Sequence, residues 1–180
     1  MKIYKFTSPL LLYSTKPFTI NDEQGNKVGE LCRYFSYPGQ SVLSRIINMT
    51  NVKVYDTEKE ICFNFKEKNI FKNLIFNKWD VTFTFHNEES TFELQDKTKI
   101  KTNQKLLYTF QSREMEVKAE IMDRVTRFYR KTHNQTKIVA QASYDRLMPP
   151  IPYTIEIYDE DIHFGEIIGI LYLMRIHHSD

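Results

Sequence analysis

The chain has 180 residues, 41% hydrophobic and 14% aromatic, which is enough for one domain whose core needs no disulfides or metals. Its formal net charge is only +2, from 25 basic and 23 acidic residues, which argues against a dedicated nucleic-acid-binding protein. Two cysteines, Cys32 and Cys62, are too few for a secreted disulfide scaffold. The first residues do not resemble a signal peptide, so we expect a cytoplasmic protein with both thiols reduced.

Most of the chain alternates apolar and polar residues with a period of two, which is typical of strands with one buried face. Short polar segments between the apolar runs predict hairpins, and roughly ten to twelve strands at this spacing favour a barrel or a sandwich. In chain order, the predicted strands lie near Lys2–Phe6, Phe18–Ile20, Val28–Phe35, Val52–Tyr55, Ile61–Phe65, Val81–Phe85, Thr91–Leu94, Leu106–Phe110, Met115–Met122, Thr126–Tyr129, Lys137–Tyr144 and Thr154–Ile157.

Two segments depart from the strand period. Apolar residues at helical spacing predict one short amphipathic helix near residues 38–48. The run from Ile162 to Ile176 follows an acidic cluster and contains hardly any polar side chains, which predicts a helix that is apolar on all sides.

Protein or lipid must surround this apolar helix. About 15 residues span roughly 22 Å, whereas the hydrocarbon core of a bilayer requires about 30 Å. Lipid would also penalise the charge of Glu166 within the helix. Gly165 and Gly169 form a G-x-x-x-G pair, which occurs in membrane helix dimers but also lets a helix pack tightly against a sheet. We therefore predict no transmembrane segment, and a mostly β chain in which residues 1–180 form a single domain, a closed antiparallel barrel around this helix.

A family resemblance covers nearly the whole chain through the pattern and order of short segments. These segments are Tyr4–Phe6, Lys16–Ile20, Gly25–Leu31, Lys78–Val81, Asp96–Ile100 and Ile155–Asp159. On them the chain resembles the tubby C-terminal-like superfamily, in particular its small bacterial members related to the plant LURP-one-related proteins.

The resemblance implies about twelve strands around a buried C-terminal helix, an arrangement similar to that of phospholipid scramblases. Eukaryotic tubby domains bind phosphoinositides through a basic surface. The lysine and arginine positions of that surface cannot be placed on this sequence, so the resemblance implies lipid binding as a class only.

The densest basic stretch contains Lys97, Lys99, Lys101 and Lys105. Alternate spacing predicts that the first three point to one side of a strand. Such a cluster suits an anionic phospholipid surface, near which each lysine contributes about 1 kcal/mol. It equally suits a solvated strand face whose lysines discourage edge pairing, and the residues alone leave both interpretations open.

No catalytic, metal or cofactor site is predicted. Cys32 and Cys62 lie in strand patterns without C-x-x-C spacing, and we expect inert, buried thiols. His86 and His133 fall near predicted turns, and the histidines do not converge on a metal-ligand pattern. Neither a phosphate-binding glycine loop nor a nucleophile motif is present.

Three functional hypotheses follow. The first is a non-enzymatic binding module, cytoplasmic or peripheral at the membrane, that recognises an anionic lipid or a protein partner. The second is a barrel that carries a small apolar ligand, which requires an empty lumen. The third is an enzyme of an unrecognised class, which requires a polar cleft, for example one that brings Cys32 or Cys62 beside His86 or His133.

Overall fold

The computed structural model describes residues 1–9, 14–36, 51–68, 77–86, 88–99, 103–120, 123–132, 135–146, 148 and 150–177. Within these ranges the chain forms twelve strands and one helix, α1, at Phe164–His177. The strands are β1 Lys2–Thr7, β2 Phe18–Asp22, β3 Lys27–Tyr34, β4 Asn51–Asp56, β5 Ile61–Glu67, β6 Lys78–Phe85, β7 Glu88–Asp96, β8 Asn103–Phe110, β9 Arg113–Glu120, β10 Val125–Lys131, β11 Thr136–Tyr144 and β12 Pro152–Ile157.

The strands form a closed barrel in which each strand pairs antiparallel with its neighbours in chain order. Strand β1 closes the barrel by pairing with β12 over six residues, from Lys2 opposite Ile157 to Thr7 opposite Pro152. The predicted closed antiparallel barrel of twelve strands is therefore confirmed. The short helix predicted near residues 38–48 lies outside the described residues.

Alternation along each strand determines which side chains face the lumen. In β5, Phe63 and Phe65 are buried, while Asn64 between them is only half-buried and Lys66 is exposed. Because side chains of a strand point alternately to its two faces, the period of two in the sequence becomes an apolar lining and a polar outer surface.

Helix α1 fills the lumen. Its two glycines face aromatic rings of β5: a Cβ atom on Gly165 would lie 2.8 Å from Cδ2 of Phe63, and one on Gly169 would overlap the ring of Phe65. The G-x-x-x-G pair is therefore a close contact between helix and sheet, as predicted. Among the described residues, no helix combines the length and the apolar character that crossing a membrane requires.

The buried Glu166 side chain links the first turn of α1 to the barrel wall by hydrogen bonds. The Glu166 side chain is 1% exposed and accepts hydrogen bonds from the Tyr108 hydroxyl at 2.6 Å and from Nη2 of Arg113 at 3.1 Å. Nη1 of Arg113 also donates to the carbonyl oxygen of Asp161, just before the helix. Burial raises the pKa of Glu166, and Arg113 opposes this rise by favouring the ionised carboxylate.

A barrel that carries a ligand in its lumen needs an empty interior. Here α1 occupies the lumen, so this hypothesis is not supported. Helix residues from Ile167 to Met174 are all buried against the inner faces of the strands. Function is therefore to be sought on the outer surface and at the rims of the barrel.

Candidate functional site

The predicted basic stretch does not continue a strand. Strand β7 ends at Asp96, whose Oδ1 accepts a hydrogen bond from the Thr98 backbone N–H at 2.8 Å and so turns the chain. Lys97 and Lys99 follow β7 in this turn, so the prediction that they alternate along a strand is wrong. Lys101 lies outside the described residues.

Lys105 belongs to a row of basic residues that the sequence pattern did not reveal. It lies in β8 directly opposite Lys118 of β9, and Lys118 lies opposite Arg127 of β10. On the other side, the Lys97 backbone N–H donates to the carbonyl oxygen of Lys105 at 2.7 Å. We call Lys97, Lys105, Lys118 and Arg127 the basic row.

The side chains of Lys105, Lys118 and Arg127 lie on the outside of the barrel. Their strand neighbours Leu106, Val117 and Phe128 are buried in the core, so the alternate positions face outward. Neighbouring strands lie about 4.8 Å apart, and the four adjacent segments therefore extend the row over roughly 14 Å. A cationic strip of this length matches an extended anionic surface better than a single small ion.

A buried carboxylate organises the lysines of this surface. The Glu116 side chain in β9 is 5% exposed and forms ion pairs with Lys105 at 2.8 Å, with Lys118 at 3.2 Å, and with Lys131 of β10. Burial by itself would raise the pKa of Glu116, but the hydrogen bonds from the three lysines outweigh it and lower this pKa to about 2. Three ammonium groups are thereby held around one negative charge.

Positive charge predominates around the basic row. Lys99 in the turn after β7 and Lys131 bring the number of cations to six, whereas the acids at alternate positions of β9 and just before β10 are Glu114, Glu116, Glu120 and Asp123. Asp123 pairs with Arg127 across 3.7 Å and remains half-exposed. The ammonium group of Lys118 also lies 5.3 Å from the ring centre of Tyr129. Among these residues, six cations stand against four acids.

The thiols do not form a catalytic arrangement with a histidine of the described part of the chain. Cys32 and Cys62 are half-buried rather than buried, on the outer face of β3 and β5. Burial raises the pKa of both thiols, although Lys53 opposes the rise, so the reactive thiolate is disfavoured. The contacts of His86 are with Glu60, at 3.8 Å, and with the ring of Phe85.

Other histidines have packing roles, as far as the structure describes them. His163 precedes α1, where its Nδ1 accepts the Gly165 backbone N–H at 3.0 Å and its ring stacks on Phe63. Burial lowers the pKa of His163 to about 4 and keeps it neutral. His133 and His178 lie outside the described residues. Within the described ranges, no group of three or more His, Cys, Asp or Glu side chains could hold a metal ion.

The chain is similar to a known protein family over nearly its whole length. A family model for the Tubby C-terminal like domain matches residues 4–178. An Arabidopsis thaliana protein of known X-ray structure is similar over 96% of this chain and 89% of its own, with a TM-score of 0.51 and 12% sequence identity. At that identity the likeness shows the fold alone. No curated protein sequence is significantly similar to the chain.

Proposed function

The chain belongs to the Tubby C-terminal like domain family, and from this premise we propose that it is a non-enzymatic module that docks on anionic phospholipid membranes through the basic row. Domains of this family commonly bind lipids or protein partners and are generally not enzymes. The proposed place of action is the cytoplasmic face of a membrane, reached by surface contact.

The observation that carries the proposal is the basic row on adjacent segments, with its excess of positive charge. Each cation close to an anionic bilayer contributes about 1 kcal/mol, so the cations of this surface together attract such a bilayer by a few kcal/mol. Glu116 holds Lys105 and Lys118 in place before binding, which reduces the entropy lost when they meet headgroups.

The test is co-sedimentation with phosphatidylcholine vesicles and with vesicles that also contain phosphatidylglycerol. We expect binding to the anionic vesicles only. Raising the salt from about 0.1 M to about 1 M shortens the screening length from about 10 Å to about 3 Å and should release the protein. Equal binding to both vesicle types, or binding that salt does not weaken, would refute a mechanism based on the basic row.

A first variant removes most of the positive charge of this surface. It retains Lys105 and Lys131, so the buried Glu116 carboxylate keeps two ion-pair partners. It carries glutamine at four positions, Lys97, Lys99, Lys118 and Arg127. Its affinity for anionic vesicles should fall by at least about a hundredfold.

A second variant controls for net charge by carrying glutamine at four exposed lysines elsewhere on the barrel. These are Lys5, Lys16, Lys59 and Lys66. It should bind the anionic vesicles about as well as the unmodified protein, since its charges lie away from the basic row. A similar loss in both variants would show that overall charge, and not this surface, drives binding.

A further inference from the structure

The barrel wall is incompletely hydrogen-bonded between β7 and β8. Strand β7 pairs with β6 through eight residue pairs, but with β8 through only three, from Leu94 opposite Tyr108 to Asp96 opposite Leu106. The first part of β7, before Leu94, has no described pairing with β8. Residues 88–91 in this part are exposed. A cleft of about 380 Å³ begins where the pairing stops and is lined by residues of both strands, including Glu93 and Thr109.

Alternate residues of this open stretch direct their backbone groups away from β6. The Asp96 backbone N–H donates to the carbonyl of Asn77 on the β6 side, whereas the Lys97 N–H donates to Lys105 on the β8 side. Hydrogen-bonding directions alternate along an antiparallel strand, so the N–H and C=O groups of Glu89, Thr91 and Glu93 face the β8 side. Within the described residues, no ladder pairs these three with β8.

The charge around this edge is negative. Glu88, Glu89 and Glu114 form no ion pair among the described residues. Glu93 is already paired with Lys68, just after β5, and with Lys78 of β6. Lys131, which also lines the cleft, is paired with Glu116. If a second copy of the chain paired through the same edge, its glutamates would lie beside Glu88 and Glu89 and repel them. An occupant with positive charge is therefore favoured over a homodimer.

We propose that the open edge of β7, at residues 89–93, is a docking site for an extended, basic segment of a protein partner, which adds as a further strand beside β7. Backbone hydrogen bonds to an exposed sheet edge supply affinity in such complexes, and alternate side chains supply specificity. Glu89 faces outward and forms no ion pair among the described residues, so the partner's outward-facing residue beside Glu89 is lysine or arginine. Phe85, which is 42% exposed and opposite Glu88, offers an apolar contact at the rim.

The test uses a pool of synthetic octapeptides with lysine at every second position and valine, threonine, isoleucine or tyrosine between. Amide hydrogen exchange of the full chain is measured with and without the peptides. We expect exchange at Glu89 and Thr91 to slow by at least about tenfold at saturation, because their N–H groups become hydrogen-bonded. A pool with glutamate in place of lysine, and a pool N-methylated at alternate backbone positions, should have no such effect.

Two charge-reversal variants make the test specific to this edge. Glu88→Lys with Glu89→Lys should weaken binding of the lysine pool by about tenfold. The matched control, Glu23→Lys with Glu58→Lys, changes two exposed turn residues by the same charge and should leave binding unchanged.

Several results would overturn the proposal. These are the absence of slowed exchange at the β7 edge, equal binding of the N-methylated or glutamate pool, and equal binding to both charge-reversal variants. Slowed exchange in the protein alone that grows with its concentration would also overturn it, because the occupant would then be a second copy of the chain.

Discussion

Replacing Arg113 by methionine should destabilise the barrel more than any comparable change at the surface. The Arg113 side chain is 9% exposed and the Glu166 side chain 1%. Within the described residues, the substitution leaves the buried carboxylate with the Tyr108 hydroxyl as its hydrogen-bond donor and with Arg130 as a more distant positive charge. Removing one partner of a buried ion pair costs about 3–5 kcal/mol. Within a total stability of about 5–15 kcal/mol, that is a large fraction.

The stability lost in Arg113→Met should depend on pH, in a direction set by the pKa shift of Glu166. Its pKa is raised in the folded protein by burial, and removing Arg113 takes away a cause that lowers it. An acid that holds its proton more tightly when folded makes the folded state less stable as the pH rises past the unfolded pKa. The deficit of Arg113→Met should therefore be largest near neutral pH and shrink as the pH falls towards the ordinary glutamate value of 4.5.

Urea unfolding followed by the fluorescence of Trp79, the single and buried tryptophan, measures this loss at a series of pH values. The double variant Arg113→Met with Glu166→Gln removes the charge that is left unpaired. It should be more stable than Arg113→Met near pH 7 and show a weaker pH dependence. A free energy of unfolding for Arg113→Met within about 1 kcal/mol of the unmodified protein at pH 7 would refute this account of the buried pair.

Two further predictions concern the packing of α1 and the buried Glu116 carboxylate. Gly169→Ala should lower the free energy of unfolding by about 1–3 kcal/mol, because the added Cβ overlaps the Phe65 ring; an unchanged urea midpoint would contradict the close helix–sheet contact. Because the pKa of Glu116 is lowered to about 2, its contribution is present above its ordinary value of 4.5 and is lost as the pH falls towards about 2. The stability difference between the unmodified protein and Glu116→Gln should shrink by about 1–3 kcal/mol across this range, and a pH-independent difference would argue against the lysine contacts.

The fold was predictable because local patterns and global architecture agree. Strands with a period of two and one uniformly apolar helix leave few arrangements that bury both, and a closed sheet around the helix is one of them. The ends of the elements were less predictable. The helix begins at Phe164 rather than Ile162, because Nδ1 of His163 accepts the Gly165 backbone N–H and caps the helix there. The ion pair of Glu166 with Arg113 joins residues that are 53 positions apart, and no local pattern reveals it.

The candidate site was predictable only in part. Lys97, Lys99 and Lys105 stand out because they are close in sequence, but Lys118 and Arg127 join them only through the register of three strands. A shift of one residue in either pairing would turn these side chains to the other face, so the sequence alone could not place them together.

The most direct test of membrane docking is amide hydrogen exchange of the protein on phosphatidylglycerol-containing vesicles. We expect slowed exchange at Thr98 and Lys99, in the turn after β7, and at Arg124, before β10, with no change in the turn at residues 57–60 between β4 and β5. Slowed exchange confined to residues 57–60, or no change at Thr98 and Lys99 when the protein is vesicle-bound, would contradict docking through the basic row.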